Sequence, residues 1–343
     1  MEYPKVSIII LNWNNWNDTI ECIESVYHIN YTNYDVTLVD NGSTNDSVNQ
    51  IKQHFNELDE KKSNHFFSAL NRSINMAESN LKLLSPPIDN TNGNHAIFLI
   101  ETNKNLGFSE GNNIGLRFCC MNLNSDYVLL LNNDVIVDPN FLNELVRAAE
   151  EMPGVGFVGP KIYYFDYNGR KDVISFAGAS IDLVRGWFTI FGIDQGDKGQ
   201  LDDQKIVDWL QGSCILVKKN VIKDIGILDP VYFFYWEDTD WCIKGKKNNW
   251  SSLYAPDAKI WHKGGRASDR NESTFQIYYF ARNRIIFMRK NSEPKIYFIF
   301  LLYYFGFEFW KLCVYNIIQG NIGSLRTFLK ATVEGFTLNL NNI

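Results

Sequence analysis

The sequence lacks several features that would assign it to other common classes of protein. No Gly-x-Gly-x-x-Gly follows the first apolar run, where Leu11-Asn12-Trp13-Asn14-Asn15-Trp16 contains no glycine, and this argues against a dinucleotide-dependent oxidoreductase. The net charge of −6 argues against nucleic acid as the main partner. The six cysteines include no Cys-x-x-Cys pair, and Met1-Glu2-Tyr3-Pro4-Lys5 is not a charged-then-apolar leader. We therefore expect a reducing, cytoplasmic location without secretion.

Three apolar runs end abruptly in polar side chains. Residues 6–11 lead into Asn12-Trp13-Asn14, residues 36–39 into Asp40-Asn41-Gly42-Ser43, and residues 127–131 into Asn132-Asn133-Asp134. Apolar residues at helical spacing between the first two runs give a β-α-β unit, which predicts an α/β fold with a mostly parallel sheet flanked by helices. Because ligands bind at the carboxyl ends of such strands, the polar groups should line one site.

Asp134 is the strongest metal-ligand candidate. A hard divalent cation on a nucleotide diphosphate needs only one or two protein carboxylates, since phosphates and waters supply the other ligands. The alternative is that Asp134 merely turns the chain out of the strand. Asp138 and Pro139 already have the residue types of an N-cap and first position for a predicted helix over residues 140–151. The metal role is therefore favoured.

Asp40 and Trp13 have the chemistry to bind a pyrimidine base. Asp40 could accept from the ring N–H, and Trp13 could supply a flat apolar face; the alternatives are a plain turn and an ordinary packing residue. Residues 105–113 contain Gly107 and a predicted helix start at Ser109 or Glu110, where exposed amides would favour phosphate or sugar hydroxyls.

Two adjacent acids, Glu237 and Asp238, follow an aromatic run at the start of a predicted helix that ends near Lys247. Apolar rings and a neighbouring carboxylate raise the pKa of a carboxyl group toward that of a general base. Asp240 in the same turn is an ordinary helix-dipole partner as an alternative. Upstream, residues 209–217 predict a loop that enters a strand. This loop is expected to lie beneath the acceptor, the molecule whose proton such a base would take.

Six segments in this order resemble the inverting family 2 glycosyltransferases with the glycosyltransferase A-type (nucleotide-diphospho-sugar transferase) fold, and within them the rhamnosyltransferase-like subgroup. The segments are residues 6–14, 39–43, 105–113, 131–134, 235–242 and 261–265, spread over about 260 residues with a gap at about 55–96. The resemblance implies that Mn²⁺ or Mg²⁺ assists transfer from a UDP- or dTDP-sugar, with dTDP-rhamnose as one option, to a glycan or lipid-linked acceptor. The products would be cell-surface polysaccharide or glycoconjugates. A non-catalytic sugar-nucleotide binder and a sugar-nucleotide pyrophosphorylase are the alternatives.

The resemblance also implies residue roles. Asp238 would be the base, with Glu237 orienting the acceptor, and Asp134 and His262 would hold the metal. Nucleotide contacts would come from Leu11, Asn12, Trp13, Asn14, Asp40, Gly107, Asn112, Asn113 and Asn133. The acceptor and loop positions would be Gln211, Gly212, Asp240, Gly264 and Gly265. Many relatives carry Arg where Asn112 stands, so Arg266 or Arg282 is expected to replace that contact with the pyrophosphate.

The chain is predicted to divide into a catalytic domain, residues 1–290, and a hydrophobic helical region, residues 291–343. A polar insertion at about 56–96 is expected to contain an amphipathic helix over residues 69–84 and to have no catalytic role. Residues 296–318 are rich in aromatic and aliphatic side chains, but the longest uncharged run covers only twelve residues, 296–307, and a span needs about twenty.

A basic and aromatic stretch, residues 278–290, precedes this apolar segment. Residues 255–295 contain nine Lys or Arg against four acids, which suits pyrophosphate or anionic headgroups. We therefore expect an interfacial or re-entrant helix and a peripheral protein on the inner face of the cell membrane. The alternatives are a helix packed on the catalytic domain and a homodimer interface.

Overall fold

A computed structural model describes residues 3–55, 80–84, 97–264 and 274–340. Most of the insertion, Gly265 and Arg266 lie outside these ranges. The first half alternates strands and helices: β1 (Val6–Asn12), α1 (Trp16–Tyr27), β2 (Tyr34–Asp40), α2 (Ser47–Phe55), β3 (Asn80–Leu84), β4 (Ile97–Glu101), α3 (Gly107–Asn122), β5 (Tyr127–Asn132), β6 (Val135–Val137) and α4 (Phe141–Glu151).

The second half begins with strands and ends with helices. Its strands and short helices are β7 (Val155–Tyr164), β8 (Val173–Phe176), β9 (Ala179–Asp182), β10 (Trp187–Ile190), β11 (Gln195–Gly196), β12 (Lys205–Val207), β13 (Cys214–Lys218), α5 (Lys219–Ile225) and a 3₁₀ turn (Pro230–Tyr232). Then come α6 (Glu237–Lys247), β14 (Ser251–His262), α7 (Thr274–Asn291), α8 (Pro294–Tyr303), a π-helical turn (Tyr304–Glu308), α9 (Phe309–Ile318) and α10 (Ile322–Thr337).

The centre of the main sheet is parallel, in the order β5-β1-β2-β4. Strand β13 pairs antiparallel with both β5 and β7, which extends the sheet on one side. The central strands are almost entirely buried, as expected for strands covered on both faces. The prediction of a mostly parallel α/β sheet is confirmed.

The register of the central strands brings their polar ends to one edge. Asn12 pairs with Asp40 across β1 and β2, and Leu11 pairs with Asn132 across β1 and β5. The three strand ends therefore meet at the same level of the sheet, as the sequence predicts.

The predicted helix over residues 69–84 is wrong at its C-terminal end, because residues 80–84 form β3, antiparallel to β4. Asn80-Leu81-Lys82-Leu83 alternates polar and apolar residues, which is the period of a strand. Pairing with β4 also satisfies backbone groups at the edge of the sheet. Residues 69–79 lie outside the described ranges.

Two helix starts differ from the predictions by one to three residues. Helix α3 begins at Gly107, before Ser109, and α4 begins at Phe141 with Asn140 at the N-cap position and no side-chain cap. Asp138 still organises this turn, since its Oδ1 accepts from Asn140 N at 2.8 Å and its carbonyl accepts from Phe141 N at 3.0 Å. Capping residues in the sequence therefore locate the turn before a helix more accurately than they locate the first residue of the helix.

The basic side chains of α7 point into the protein. Arg282 and Arg284 are buried; Arg282 Nε donates to Glu334 at 3.0 Å, and the two terminal nitrogens of Arg284 donate to Glu308 at 2.9 and 2.6 Å. The expectation that these two arginines meet headgroups, or that Arg282 meets the pyrophosphate, is therefore wrong. Their guanidinium groups instead form ion pairs with glutamates of the later helical segments.

Helices α8 and α9 continue through the π-helical turn as one helix, Pro294–Ile318, of 25 residues. By length and composition alone it could cross a membrane. Phe300 and Tyr304 are buried in a cluster with α7 and α10, so one side of this helix is covered by protein. Its exposed apolar side chains are Phe298, Leu302, Phe305, Phe307, Trp310, Val314, Tyr315, Ile317 and Ile318.

Candidate active site

The carboxylate of Asp40 organises the turn after β2. Its Oδ1 accepts from Asn12 Nδ2 at 2.7 Å and from Ser43 Oγ at 2.6 Å, while its Oδ2 accepts from Ser43 N at 3.0 Å. Asn12 and Asp40 are both buried. A carboxylate has about four lone-pair sites, so this turn role leaves Asp40 Oδ2 with capacity for one more donor.

Trp13 lies beside this turn and is 51% exposed. Asn14 adopts a left-handed backbone conformation with φ of 55°, and its Oδ1 accepts from Thr44 N at 2.8 Å. This local network fixes the backbone after Trp13 and leaves an indole face open. Unlike the exposed Trp13, the Asn133 side chain is bound within the protein, because its amide donates to Thr19 Oγ1 at 2.9 Å.

Asp134 and His262 meet at the end of the sheet although they are 128 residues apart. His262 Nε2 lies 3.1 Å from Asp134 Oδ1, because β14 pairs with β6 directly after Asp134. A Cβ added at Gly264 would lie 2.7 Å from Asp134 Oδ2, so a larger residue there would displace this carboxylate. Burial alone would raise the pKa of Asp134, but the His262 imidazole and backbone N–H groups together lower it below its ordinary value.

Gly107 packs against the loop that precedes Glu237. Its φ is 80°, and an added Cβ would lie 2.5 Å from the Phe233 carbonyl oxygen. Asn112 and Asn113 are buried in α3, where their amides donate to the carbonyls of Phe108 and Leu228. Leu11 lies against Gly111 of the same helix. Of these four predicted nucleotide residues, Leu11 thus packs α3 on the sheet, whereas Gly107, Asn112 and Asn113 make contacts within α3 or with the loops beside it.

Glu237 and Asp238 are buried at the first turn of α6. Asp238 Oδ2 accepts from Gly212 N at 2.8 Å, and its Oδ1 accepts from Thr239 N at 2.6 Å. Glu237 Oε2 has no hydrogen-bond partner among the described residues. The two carboxyl groups therefore have different surroundings although they are neighbours in sequence.

Burial raises the pKa of both carboxyl groups, and for Glu237 the nearby Asp238 raises it further, well above the ordinary value. The backbone N–H groups of Gly212 and Thr239 act against burial at Asp238 by stabilising its ionised form. The proton is thus held at Glu237 and Asp238 carries the charge, the arrangement in which one carboxyl of a pair can accept a proton.

Trp209 is a neighbour of this pair that the sequence did not assign. Its indole N–H helps to lower the pKa of Asp238 but completes no hydrogen bond within the described ranges. Gln211 continues the same loop, where its carbonyl accepts from Cys214 N at 3.3 Å. The available signal was a tryptophan two residues before Gln211-Gly212, but no spacing rule connects it to Asp238.

The carboxylate of Asp240, for which an acceptor role is predicted, is instead occupied by hydrogen bonds to neighbouring protein groups. Its Oδ1 accepts from Tyr232 Oη at 2.8 Å and from Asn291 Nδ2 at 2.6 Å, and its Oδ2 accepts from Lys290 Nζ at 3.0 Å. Asp240 is therefore a buried link between α6 and α7, a structural role that differs from both the acceptor role and the helix-dipole alternative. Gly265 and Arg266 lie outside the described residues.

Two family models match the chain. Residues 87–286 match the model described as glycosyltransferase like family 2, and residues 7–83 match glycosyl transferase family 2. The low-salt glycan biosynthesis hexosyltransferase Agl10 of Haloferax volcanii is 27% identical over 196 residues, which cover 57% of this chain and 61% of the relative. The N-acetylglucosaminyl-diphospho-decaprenol L-rhamnosyltransferase of Mycobacterium tuberculosis is 28% identical over 159 residues, which cover 43% and 50%. Each match thus spans less than two thirds of the relative.

Solved structures share the fold at low sequence identity. GalNAc-T7 with UDP, GalNAc and Mn²⁺ has a TM-score of 0.53 at 14% identity, covering 82% of this chain and 48% of that one. The mannosyltransferase PcManGT from Pyrobaculum calidifontis, in complex with GDP-Man and Mn²⁺, has a TM-score of 0.51 at 14% identity, covering 99% and 77%. These likenesses confirm the predicted glycosyltransferase A-type fold.

The raised pKa of Glu237 predicts a pH dependence of stability. The folded protein binds a proton at Glu237 that the unfolded chain releases above its ordinary pKa of 4.5. Stability from this group is therefore complete below that pH and is lost as pH rises toward the folded-state pKa. In urea unfolding, the wild-type free energy minus that of Glu237→Gln should fall by about 1.4 kcal/mol per pH unit through this window. Exposed Glu293→Gln is the control, and a difference that is constant from pH 5 to 8 would contradict the assignment.

Proposed function

Because the chain belongs to glycosyltransferase family 2, we propose that it transfers a sugar from a nucleotide diphosphate to a hydroxyl group, with inversion at the anomeric carbon. One observation carries the proposal. Asp238 is bound to Gly212, and the next residue, Ser213, accepts at its carbonyl from Asn132 N at 2.9 Å. Asp238 thus adjoins the strand end that leads to Asp134, which supports a proposed base and a proposed diphosphate site at one edge.

Asp238 acts as the general base in this proposal. The acceptor O–H gives its proton to a free lone pair on Asp238 Oδ2, the acceptor oxygen bonds to the anomeric carbon, and the bond to the nucleotide diphosphate breaks. A single displacement from the opposite face inverts the configuration and needs no covalent intermediate. Glu237, which retains its proton, can donate to the acceptor and orient it.

Asp134 and His262 fit a divalent cation of the Mn²⁺ or Mg²⁺ class. They form an adjacent oxygen and nitrogen pair, and the missing Cβ of Gly264 leaves space beside Asp134 Oδ2. No group of three His, Cys, Asp or Glu side chains gathers in the described part of the chain, but two ligands suffice when a diphosphate supplies the others. A bound cation would neutralise charge on the departing diphosphate. The Mn²⁺ in two similar folds supports this.

A UDP- or dTDP-sugar is the proposed donor, with the base stacked on Trp13 and its ring N–H directed at Asp40. The exposed indole and the remaining lone pair of Asp40 Oδ2 support this. One relative is named an L-rhamnosyltransferase, which favours dTDP-rhamnose. Incubation with UDP-, dTDP- and GDP-sugars tests donor choice by the nucleotide released, and release without any acceptor product would favour a non-catalytic binder or a hydrolase.

The proposed acceptor is a glycan or a lipid-linked saccharide at the inner face of the membrane. The name of the mycobacterial relative specifies a saccharide on diphospho-decaprenol. In this chain, the helix Pro294–Ile318 exposes large apolar side chains while Phe300 and Tyr304 hold it to the protein. A helix with one covered and one apolar face suits peripheral insertion into the interface of a bilayer.

The metal site gives the first prediction of activity. Asp134→Ala should lower transfer by about 10²-fold or more, because charge on the leaving group is no longer shielded, and added Mn²⁺ should restore little. Asp257→Ala, an exposed aspartate on β14, is the control and should retain activity. The measurement is nucleotide release against Mn²⁺ concentration. Full wild-type activity in EDTA would remove the metal from the proposal.

The base gives the second prediction. Asp238→Asn should lower kcat by about 10²–10⁴-fold with donor binding retained, because an amide cannot take the acceptor proton. Calorimetric titration with the donor and single-turnover transfer separate the two effects. Thermal unfolding is measured alongside, since an amide cannot accept from both Gly212 N and Thr239 N. Near-normal kcat would move the base elsewhere, and Glu237→Gln is then the variant to compare.

The membrane surface gives the third prediction. Truncation is unsuitable, because loss of Glu308 and Glu334 would leave Arg284 and Arg282 unpaired. The double variant Leu302→Asp, Trp310→Asp should instead weaken binding to anionic vesicles by at least about 10²-fold, since each large apolar side chain contributes about 1.5–3 kcal/mol when buried.

Met121→Asp, at an exposed apolar position on α3, is the matched control and should bind vesicles normally. Donor binding should be unchanged in all variants. Light scattering distinguishes the alternative: a wild-type dimer that ignores vesicles and becomes a monomer in the double variant would make this face an oligomer interface.

A further inference from the structure

The loop that leads into Glu237 and Asp238 has a strained backbone. Phe233, Tyr235 and Trp236 adopt left-handed conformations with φ of 55°, 68° and 75°. None of them is a glycine, so each conformation costs free energy and persists only where the surroundings impose it. The conformation of this loop sets the direction in which α6 begins, and hence the position of both carboxyl groups.

Asn283 of α7 forms several hydrogen bonds with this loop, in addition to packing against it. Its side chain is fully buried, and Nδ2 donates to the carbonyl oxygens of Tyr232, Phe234 and Tyr235 at 2.6, 2.9 and 2.9 Å. Three carbonyls of one strained segment thus converge on a single amide. Without that donor, the loop would lose three hydrogen bonds to its carbonyl groups in a partly buried setting, which is costly.

Arg282 fixes the orientation of the Asn283 amide. Its Nη1 donates to Asn283 Oδ1 at 2.7 Å and to Val231 O at 2.9 Å. Because a guanidinium has no acceptor, the amide oxygen must face Arg282 and the amide nitrogen must face the loop. The donor groups of Arg282 therefore fix the orientation of the Asn283 amide.

The other side of the loop is held by α3. The backbone N–H groups of Phe108 and Ser109 donate to Phe233 O at 2.6 and 3.3 Å. Gly107 permits this approach because it has no Cβ. The loop is thus clamped between the first turn of α3, next to the predicted donor site, and Asn283 of α7.

We propose that Asn283 is a positioning residue for the reaction: it holds residues 232–236 in the strained conformation that places Asp238 and Glu237 toward the acceptor. This inference rests on the proposed function, because it assumes that these carboxyl groups act in transfer. Asn283 itself is buried behind the loop and touches no substrate in this role.

Asn283→Asp tests the proposal, because it keeps the size of the side chain and the acceptor for Arg282 but removes the donors to the loop. Misplacement of a catalytic group by about 1 Å can cost about 10²-fold, so kcat should fall to that extent while donor affinity and acceptor KM change by no more than about twofold. Hydrogen exchange of peptides from residues 231–240 should become faster. Arg282→Lys replaces the planar guanidinium group that orients the Asn283 amide. It should also lower kcat and speed hydrogen exchange of the loop, and it provides the test if Asn283→Asp does not fold.

Ile51→Ala controls for lost stability, since Ile51 is buried in α2 away from this loop. It should lower the unfolding temperature and leave kcat and loop exchange unchanged at temperatures where every variant is folded. Wild-type kcat in Asn283→Asp, or unchanged loop exchange, would overturn the positioning role. An inactive wild-type protein would instead refute the proposed function, and hydrogen exchange would still decide whether Asn283 holds the loop.

Discussion

Parallel pairing of β1 with β2 and β5 is the constraint on which the site depends. In a parallel sheet the carboxyl ends of neighbouring strands lie at one edge, so residues far apart in sequence become neighbours without any long side chain. For this reason Asn12 pairs with Asp40, and Asn132 pairs with Leu11, the residue just before Asn12. Strand β13 then enters antiparallel beside β5 and brings Gly212 to the same edge. A shift of register by one residue would turn each of these side chains to the other face.

The chemical difference between Glu237 and Asp238 follows from this placement. Both are buried, and burial raises the pKa of both. Gly212 and Thr239 direct backbone N–H groups at Asp238, whereas Glu237 Oε2 faces no donor among the described residues. The loop before β13 and the first turn of α6 thus stabilise the ionised form of only one of the two carboxyl groups. Similar side chains acquire different affinities for a proton through their neighbours.

Much of the sheet and its polar edge could be predicted from the sequence, because apolar runs that end in Asn and Asp report local structure directly. Asp134 with His262 required a resemblance, since 128 residues separate them. The contacts of Arg282, Arg284 and Asp240 could not be predicted. A basic stretch looks the same in sequence whether its charges face water or carboxylates from a later helix, and only the packing of α7 against α10 and the π-helical turn decides between them. The strand at residues 80–84 was hidden for a similar reason, since its alternation covers too few residues to outweigh a helical pattern around it.

The C-terminal helices are therefore part of the scaffold of the site. Arg284 is buried and paired with Glu308 of the π-helical turn, and Arg282 is paired with Glu334 of α10. Removing one partner of a buried ion pair leaves an uncompensated charge, which is far more costly than the pair is favourable. Arg282 also orients the amide of Asn283, which holds the loop before Asp238. Helix α7 consequently connects the surface proposed to meet the bilayer with the loop before the proposed base. Its adjacent residues Arg282, Asn283 and Arg284 make the contacts to both.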